Sequence, residues 1–295
     1  MVRLAPQSNI ATYGLTILAL LAFAANSILC RAALKGGEID PVGFTLVRLL
    51  SGALVLAILL GFTGRLKDSQ IGSQKDRVWA GSWLAALMLF AYALAFSFAY
   101  VSLDTGTGAL ILFGSVQMTI ILIDVFSGNR LGIIEWFGIA CASAGLVYLV
   151  YPDLSTPSAL GFVLMVTAGV AWGVYTVIGR NSNNPLADTT FNFVRCLPLL
   201  IVLALISLSA TRFSLNGVLL AVLSGALASG IGYAIWYAAL RGLKSTESAV
   251  VQLAVPVIAA SGGIVFLSEA FSQRFFIASL IILGGILTVI LGRRV

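Results

Sequence analysis

Histidine is absent from the 295 residues, which excludes imidazole metal ligands, histidine bases and the commonest proton shuttle. Charge is scarce as well: 9% of the residues are Asp, Glu, Lys or Arg, where a soluble domain carries roughly a quarter. Surface that lacks charge to this degree faces lipid, so the soluble enzyme classes are excluded. Cysteine is limited to Cys30, Cys141 and Cys196, each inside an apolar stretch. Their spacing fits neither a metal site nor a secreted disulfide framework, and they read as small buried hydrophobes. No basic run or basic helix face accompanies the net charge of +6, so nucleic acid is not an expected partner. No metal and no cofactor is expected either.

What is present is apolar: 60% of the chain, with a mean hydropathy of +1.05. The expected class is an all-α integral membrane protein with the lipid bilayer as its solvent. A span takes about 20 apolar residues. The runs between charge and turn clusters predict ten transmembrane helices, near 10–34, 41–62, 78–100, 106–126, 131–150, 158–178, 187–208, 215–240, 247–267 and 272–291. Lys35 to Pro41, Tyr151-Pro152-Asp153 and Asn181 to Pro185 combine helix breakers with polar residues, and the longest connection, Thr63 to Arg77, holds Gly64 and Gly72. The first run is too long for a signal peptide and lacks a small-residue cleavage site before Arg31, so it is kept as a span.

Ten spans place both termini on one side. The set Arg3, Arg65, Lys67, Lys75, Arg77, Arg130, Arg180, Arg241, Lys244, Arg293 and Arg294 is eleven strong, against four for Arg31, Lys35, Arg212 and Arg274. Positive loops stay inside, so both termini are expected in the cytoplasm.

An internal repeat runs through the chain. Phe44-Thr45-Leu46-Val47-Arg48 echoes Phe191-Asn192-Phe193-Val194-Arg195, and Asn26 to Arg31 lines up with Tyr175 to Arg180. Leu103, Ala109, Phe126 and Gly145 meet Leu243, Ala249, Phe266 and Gly285 at a constant offset of 140. Two five-helix repeats are expected, at 1–150 and 151–295. Because five is odd they must be inverted, with a site near midplane at their interface. Such symmetry points to transport, although duplication without a functional consequence gives the same pattern.

The arginine after the aromatic in helices two and seven, the small-residue starts Thr105-Gly106-Thr107-Gly108-Ala109 and Thr246-Glu247-Ser248-Ala249, and Pro256 to Glu269 resemble the drug/metabolite transporter superfamily and its ten-helix EamA-type carriers. Phe266-Leu267-Ser268-Glu269 is similar to the family's phenylalanine-leucine-x-glutamate signature, whereas Phe126-Ser127-Gly128-Asn129 in the first half departs from it. Within the superfamily, the end of the first helix and the overall length resemble the bacterial aromatic amino acid exporters. That resemblance implies a multi-pass protein of the bacterial inner membrane, with aromatic amino acids as small-molecule substrates.

Polar residues inside spans are functional candidates because lipid offers them no partner. Trp172 and Tyr175 share a face of the sixth helix and align with Phe23 and Asn26 of the first; together they line an aromatic pocket or simply pack between helices. Gln117 and Gln252 lie mid-span, as donors to a substrate or as interhelical hydrogen bonds. Tyr233, Trp236 and Tyr237 cluster on helix eight, with Tyr92 and Phe96 as counterparts on helix three, and at least one of the three on helix eight is expected to face lipid or the interface. Trp79 and Trp83 read as an aromatic belt. Arg48 and Arg195 are either gates for a carboxylate or clamps on backbone carbonyls, the clamp favoured. Pro198 and Pro256 are candidate hinges. Asp124, Glu135, Glu247 and Glu269 fall near helix ends, where water keeps them charged, so no acidic relay is expected at midplane and transport reads as facilitative, by alternating access. A broad efflux carrier for lipophilic cations and a channel are the competing transport readings. A membrane-embedded enzyme is disfavoured, since no carboxylate dyad, cysteine pair or nucleophile elbow is present. A functional monomer is expected.

Overall fold

Asp40 shows how the chain starts a helix at the membrane boundary. Its Oδ1 accepts from the Val42 and Gly43 backbone N–H groups at 3.0 Å, and Pro41 occupies the first turn, where a missing N–H costs nothing. Ser82, Ser158 and Ser214 cap their helices in the same way. The structure, a computed structural model, describes residues 9–63, 80–128, 131–150, 158–180, 182, 184–207, 212–240, 242–243, 248 and 251–292. Trp79, Gly64, Gly72, Asn129, Tyr151-Pro152-Asp153, Asn181, Asn183, Thr246, Glu247, Ala249 and the basic residues Arg3, Arg65, Lys67, Lys75, Arg77, Arg130, Arg241, Lys244, Arg293 and Arg294 lie outside the described residues.

The described apolar helices are α1 (Asn9–Lys35), α2 (Pro41–Phe62), α3 (Trp83–Ala99), α4 (Thr105–Phe126), α5 (Ile133–Val150), α6 (Ala159–Gly179), α7 (Pro185–Ser207), α8 (Leu215–Leu240), α9 (Val255–Leu267) and α10 (Gln273–Gly292). Seven are long and apolar enough to cross a membrane; α3, α5 and α9 are shorter. Large apolar side chains on the outer faces, Trp83 and Trp136 among them, are exposed as lipid-facing residues must be.

Two elements differ from the sequence expectation. Helix three begins at Trp83, after Gly81 at φ +77°, a conformation that favours glycine, and the cap Ser82. Helix nine is not continuous from 247: a turn at 253–254 precedes α9, and Pro256 sits in its first turn, starting the helix rather than kinking it. Pro198 does lie inside α7, where it deprives the Val194 carbonyl of its helical donor.

The middle of α8, Leu223–Ile231, is wound as a π-helix. In a π turn residues five apart fall near one face, whereas in an α-helix they diverge by roughly 140°. Ser224 and Ser229 are therefore presented together toward α1 and α2.

The packing follows a regular scheme. α1 packs on α8 and α9, and α6 packs on α3 and α4; α2 packs on α7, α4 on α9 and α5 on α10. Small residues permit the closest approaches. A Cβ on Gly145 would lie 3.1 Å from the Ile282 nitrogen, and one on Gly285 would lie 2.7 Å from the Ala142 nitrogen.

Hydrogen bonds join the helix ends into two groups. At one end, the Arg212 N–H donates to Asp40 Oδ2 at 2.7 Å, and Lys35 Nζ to the Leu267 carbonyl at 3.2 Å, tying the α1–α2, α7–α8 and α9–α10 connections together. At the other, Asp188, Asn192 and Arg195, spaced along one face of α7, hold the start of α3. Asp188 Oδ1 accepts from Gly81 N at 2.7 Å, Asn192 Oδ1 from Ser82 N at 2.9 Å, and Arg195 Nη1 donates to the Ala80 carbonyl at 2.5 Å. The first group marks the latched end of the molecule and the second its open end.

Candidate functional site

One face of α1 organises the site. Phe23, Asn26, Ser27, Cys30 and Arg31 follow the spacing that lines one side of a helix, and they run roughly 12 Å from mid-helix toward the latched end. Each meets a different layer.

At Phe23 lies a cavity of about 510 Å³ that reaches the open end. Trp172 and Thr176 of α6, Tyr233, Trp236 and Tyr237 of α8, Gln117 and Ile120 of α4, and Gln252 line it, with Gly179, Arg180, Ser182, Pro185, Leu240, Leu243 and Ser248 toward its mouth. The wall is aromatic. Phe23 meets Tyr233 and Trp236 edge-on at 6.0 and 5.7 Å, and Trp172 lies 4.9 Å from Tyr233 and stacks on Tyr175 at 5.3 Å. Such a wall receives a flat ring by offset stacking and burial of apolar area. Gln117 is 3% exposed, and its Nε2 has no hydrogen-bond partner, so a buried donor stands open in the wall. Gln252 Nε2 is already engaged by the Ser248 carbonyl at 3.0 Å.

Asn26, one turn on from Phe23, belongs to a buried polar layer behind this cavity. Asn26 Nδ2 donates to Tyr92 Oη at 3.2 Å, and Ser224 Oγ donates to Asn26 Oδ1 at 2.6 Å. Arg48 Nη2 donates to the same Tyr92 oxygen at 2.9 Å, and Arg48 Nε to Ser229 Oγ at 3.3 Å. The guanidinium carbon sits 5.0 Å from the Tyr92 ring centroid and 4.9 Å from that of Phe96, a cation–π arrangement. Tyr92 in turn packs on Trp172 at 4.8 Å, so the arginine lies one ring behind the cavity wall.

Arg31 begins the next layer. Its Nε lies 3.4 Å from Glu269 Oε1, and its Nη1 donates to the Tyr100 and Val101 carbonyls at 3.0 and 2.9 Å. Its Nη2 reaches Asp104 at 3.3 Å. Glu269 also accepts from the Thr105 N–H at 2.9 Å and the Thr105 hydroxyl at 3.0 Å. This latch binds α1, the α3–α4 connection and the α9–α10 connection. Beyond it, a second cavity of about 260 Å³ at the latched end is lined by Asp104, Thr107, Glu269 and Phe275 among others.

The structure thus brings Phe23, Gln117, Trp172, Tyr233, Trp236 and Gln252 to one cavity, and places Asn26, Tyr92 and Arg48 in a buried layer behind its wall, joined to it through Tyr92 on Trp172. Tyr175 stacks on Trp172 but lines a neighbouring cavity of about 230 Å³ with Asp188 and Asn192. Pro198 lines an outer groove with Trp83 and Arg195, away from the main cavity. Three expectations need correction. Tyr233, Trp236 and Tyr237 all line the cavity, so none is spent on lipid; three and four apart in the α-helical end of α8, they share one face. Glu269 is held by protein donors rather than by water, with a side chain 5% exposed. Glu135 is likewise buried, its Oε2 accepting from Gly132 N at 2.6 Å. Sequence reasoning does not reach Ser224, Ser229, Thr176 or the Arg31–Glu269–Thr105 latch; serines and threonines in a span carry no distinguishing sequence signal, and Arg31 reads as a loop charge.

This arrangement, a helical membrane bundle with an aromatic cavity open at one end and ion-paired at the other, is that of a solute carrier. The chain belongs to the EamA-like transporter family, whose model matches residues 10–151 and again 159–291. It is 47% identical over 279 residues to an uncharacterized protein of Pseudomonas aeruginosa, covering 95% of this chain and 94% of that one. It is 30% identical to an uncharacterized transporter of Archaeoglobus fulgidus, over 95% and 96% of the two chains. It is 23% identical to a probable amino-acid metabolite efflux pump of Escherichia coli, over 70% of this chain and 77% of the relative. A solved crystal structure shares the fold with a TM-score of 0.64 at 21% identity, covering 96% of this chain and 99% of that one.

Proposed function

We propose that this protein exports aromatic amino acids and related metabolites across the bacterial inner membrane by alternating access, without a cofactor or metal and as a monomer. The observation that carries the reading is the 510 Å³ cavity walled by Phe23, Trp172, Tyr233 and Trp236, with the open donor of Gln117 in its wall. A ring stacks on the aromatic wall while an amide donor meets the polar end of the solute. The probable amino-acid metabolite efflux pump among the relatives is in keeping with this class of cargo.

In this reading the ten apolar helices are ten spans in two inverted repeats. The packing supports it, because exchanging each helix of the first half for its counterpart in the second leaves the main helix pairings unchanged. At residue level, Gly145 against Ile282 and Gly285 against Ala142 interchange under the offset of 140. Phe23 on Tyr233 and Trp172 on Tyr92 also interchange in the repeat, at offsets of 149 and 141. Two interlocked halves of this kind can rock about a shared site. The open end carries Arg180 and the connections richest in Lys and Arg, so it faces the cytoplasm together with both termini, and the cavity is loaded from inside. The Arg31–Glu269 latch closes the far side until the halves rock.

Among the described residues every carboxylate lies at a helix end or in a connection, so transport runs down the solute's own gradient. The test is counterflow of labelled tryptophan and phenylalanine, with a non-aromatic control, into proteoliposomes of the intact protein and of Trp172→Ala. Selective aromatic exchange that collapses on substitution is expected; exchange of none of the amino acids would overturn the reading. A broad efflux carrier is the second reading, favoured by the same aromatic wall, since a ring face also receives a lipophilic cation.

A further inference from the structure

We propose that Arg48 is a carboxylate-binding station one ring behind the cavity wall, and that the path therefore selects aromatic carboxylates and rejects aromatic cations. The inference rests on the transport reading above and assigns the charge of its cargo.

Four observations carry it. Arg48 is 1% exposed, yet each of its hydrogen bonds goes to a neutral hydroxyl, Tyr92 or Ser229, and no carboxylate balances it among the described residues around it. Its Nη1 is buried without any partner, so a guanidinium with five donors retains an unfilled position. Arg195, its counterpart in the repeat, instead donates to the Ala80 carbonyl, so the clamp role falls to one arginine of the pair and not the other. Finally, the only charged side chain among the described residues of the cavity wall is another arginine, Arg180 at the mouth, and the nearest acids are engaged: Asp188 by Gly81 and Ser182, Glu269 by Arg31 and Thr105.

A buried cation left this way repels a second cation and attracts an anion, and in a site that excludes water both effects are large. The route opens when the Tyr92 ring, which separates Arg48 from Trp172, swings aside. The cargo's ring rests against Trp172, and its carboxylate advances along the α1 face past Asn26 to Arg48. There it takes the open Nη1 and displaces the Tyr92 hydroxyl from Nη2, forming the paired contact that a planar guanidinium makes with a carboxylate. Tyr92 also accepts from Asn26, so its hydroxyl keeps a partner when it moves. The guanidinium remains protonated throughout, and the cycle needs no proton exchange at this residue.

The test uses three solutes with one ring and different charge: 3-phenylpropanoate, phenylalanine and phenethylamine. Counterflow is measured in proteoliposomes of the full chain, Arg48→Gln and Arg48→Lys, each checked for a monodisperse gel-filtration peak. The intact protein is expected to exchange the carboxylate and the zwitterion about tenfold or more faster than the amine, as a site with an unfilled charged donor discriminates. In Arg48→Gln that ratio collapses toward parity, and in Arg48→Lys part of it survives. An amine exchanged as fast as the carboxylate, or a ratio unchanged in Arg48→Gln, overturns the proposal. Should Arg48→Gln fail to fold, Tyr92→Phe decides: freeing Nη2 raises the preference for the carboxylate, and an unchanged preference overturns the proposal. If the intact protein exchanges none of the three, thermal shifts in detergent separate the two readings. Stabilisation by the carboxylates alone, lost in Arg48→Gln, supports the charge assignment while the transport reading fails, and no stabilisation by them overturns both.

Discussion

Arg31 of α1 and Glu269 before α10 meet at 3.4 Å with side chains 9% and 5% exposed, although 238 residues separate them in the chain. The pair joins the two halves at the latched end. Glu269 spends both oxygens on partners, its Oε2 on the Thr105 N–H and its Oε1 on Arg31 and the Thr105 hydroxyl, so three elements are drawn to one carboxylate. Removing one member of a buried pair strands the other, at a cost of roughly 3 kcal/mol.

Glu269→Gln is therefore expected to weaken closure at this end. A cysteine placed at Ser27, 1% exposed on α1 one turn from Arg31, in a background with Cys30, Cys141 and Cys196 replaced by alanine, should label with a membrane-impermeant maleimide several-fold faster once Glu269 is neutralised. Equal labelling rates would show that the latch does not hold the closed state.

Trp172 contacts Tyr92, Tyr175 and Tyr233 and forms the wall between the cavity and Tyr92. Trp172→Ala removes a stacking partner contributing about 0.5–1.5 kcal/mol beyond its buried area, so the KM for an aromatic solute should rise roughly tenfold. Trp172→Phe should retain most of the affinity. Concentration-dependent counterflow measures both.

Gln117→Leu trades function for stability. The unpartnered Nε2 costs about 1–3 kcal/mol of desolvation, which leucine does not incur. The melting temperature in detergent should rise while counterflow falls. A variant that is destabilised and transports normally would remove Gln117 from the site.

Gly225 lies against α2 so closely that a Cβ would meet both the Arg48 carbonyl oxygen and Ser51 Oγ at 2.1 Å. Gly225→Ala must push α8 from α2 and should cost about 1–3 kcal/mol. Gly230→Ala, whose nearest neighbour stands at 3.4 Å, is the control and should melt close to the unaltered protein.

Uptake should not respond to an imposed proton gradient at fixed voltage, since the chain has no histidine and the described carboxylates sit at helix ends or in connections. Acceleration by the gradient alone in proteoliposomes would establish coupling.

The helices were legible because hydropathy and caps are local. Asp40-Pro41 fixes where α2 begins, and the run 215–240 returns as one continuous rod. The π winding inside that rod is not legible, since i→i+5 bonding leaves no mark in an apolar sequence; it coincides with the contacts that Ser224, Gly225 and Ser229 make to α1 and α2. The aromatic residues of the cavity could be nominated from their depth in the spans. The different duties of Arg48 and Arg195 could not, because the two occupy matching positions and only the tertiary neighbours, two hydroxyls in one case and the Ala80 carbonyl in the other, separate them. Nor could the burial of Glu269 be foreseen, since its partners come from α1 and the start of α4.

The placement of tryptophan gives the molecule an optical reporter of its own. Trp172 and Trp236 border the cavity, while Trp83 and Trp136 are 62% and 57% exposed on the outer surface. A polar quencher confined to water reaches the first pair through the open end, whereas a brominated lipid reaches the second. With Trp79 replaced by phenylalanine, intrinsic fluorescence can thus follow filling of the cavity and the surrounding bilayer separately, without an attached dye.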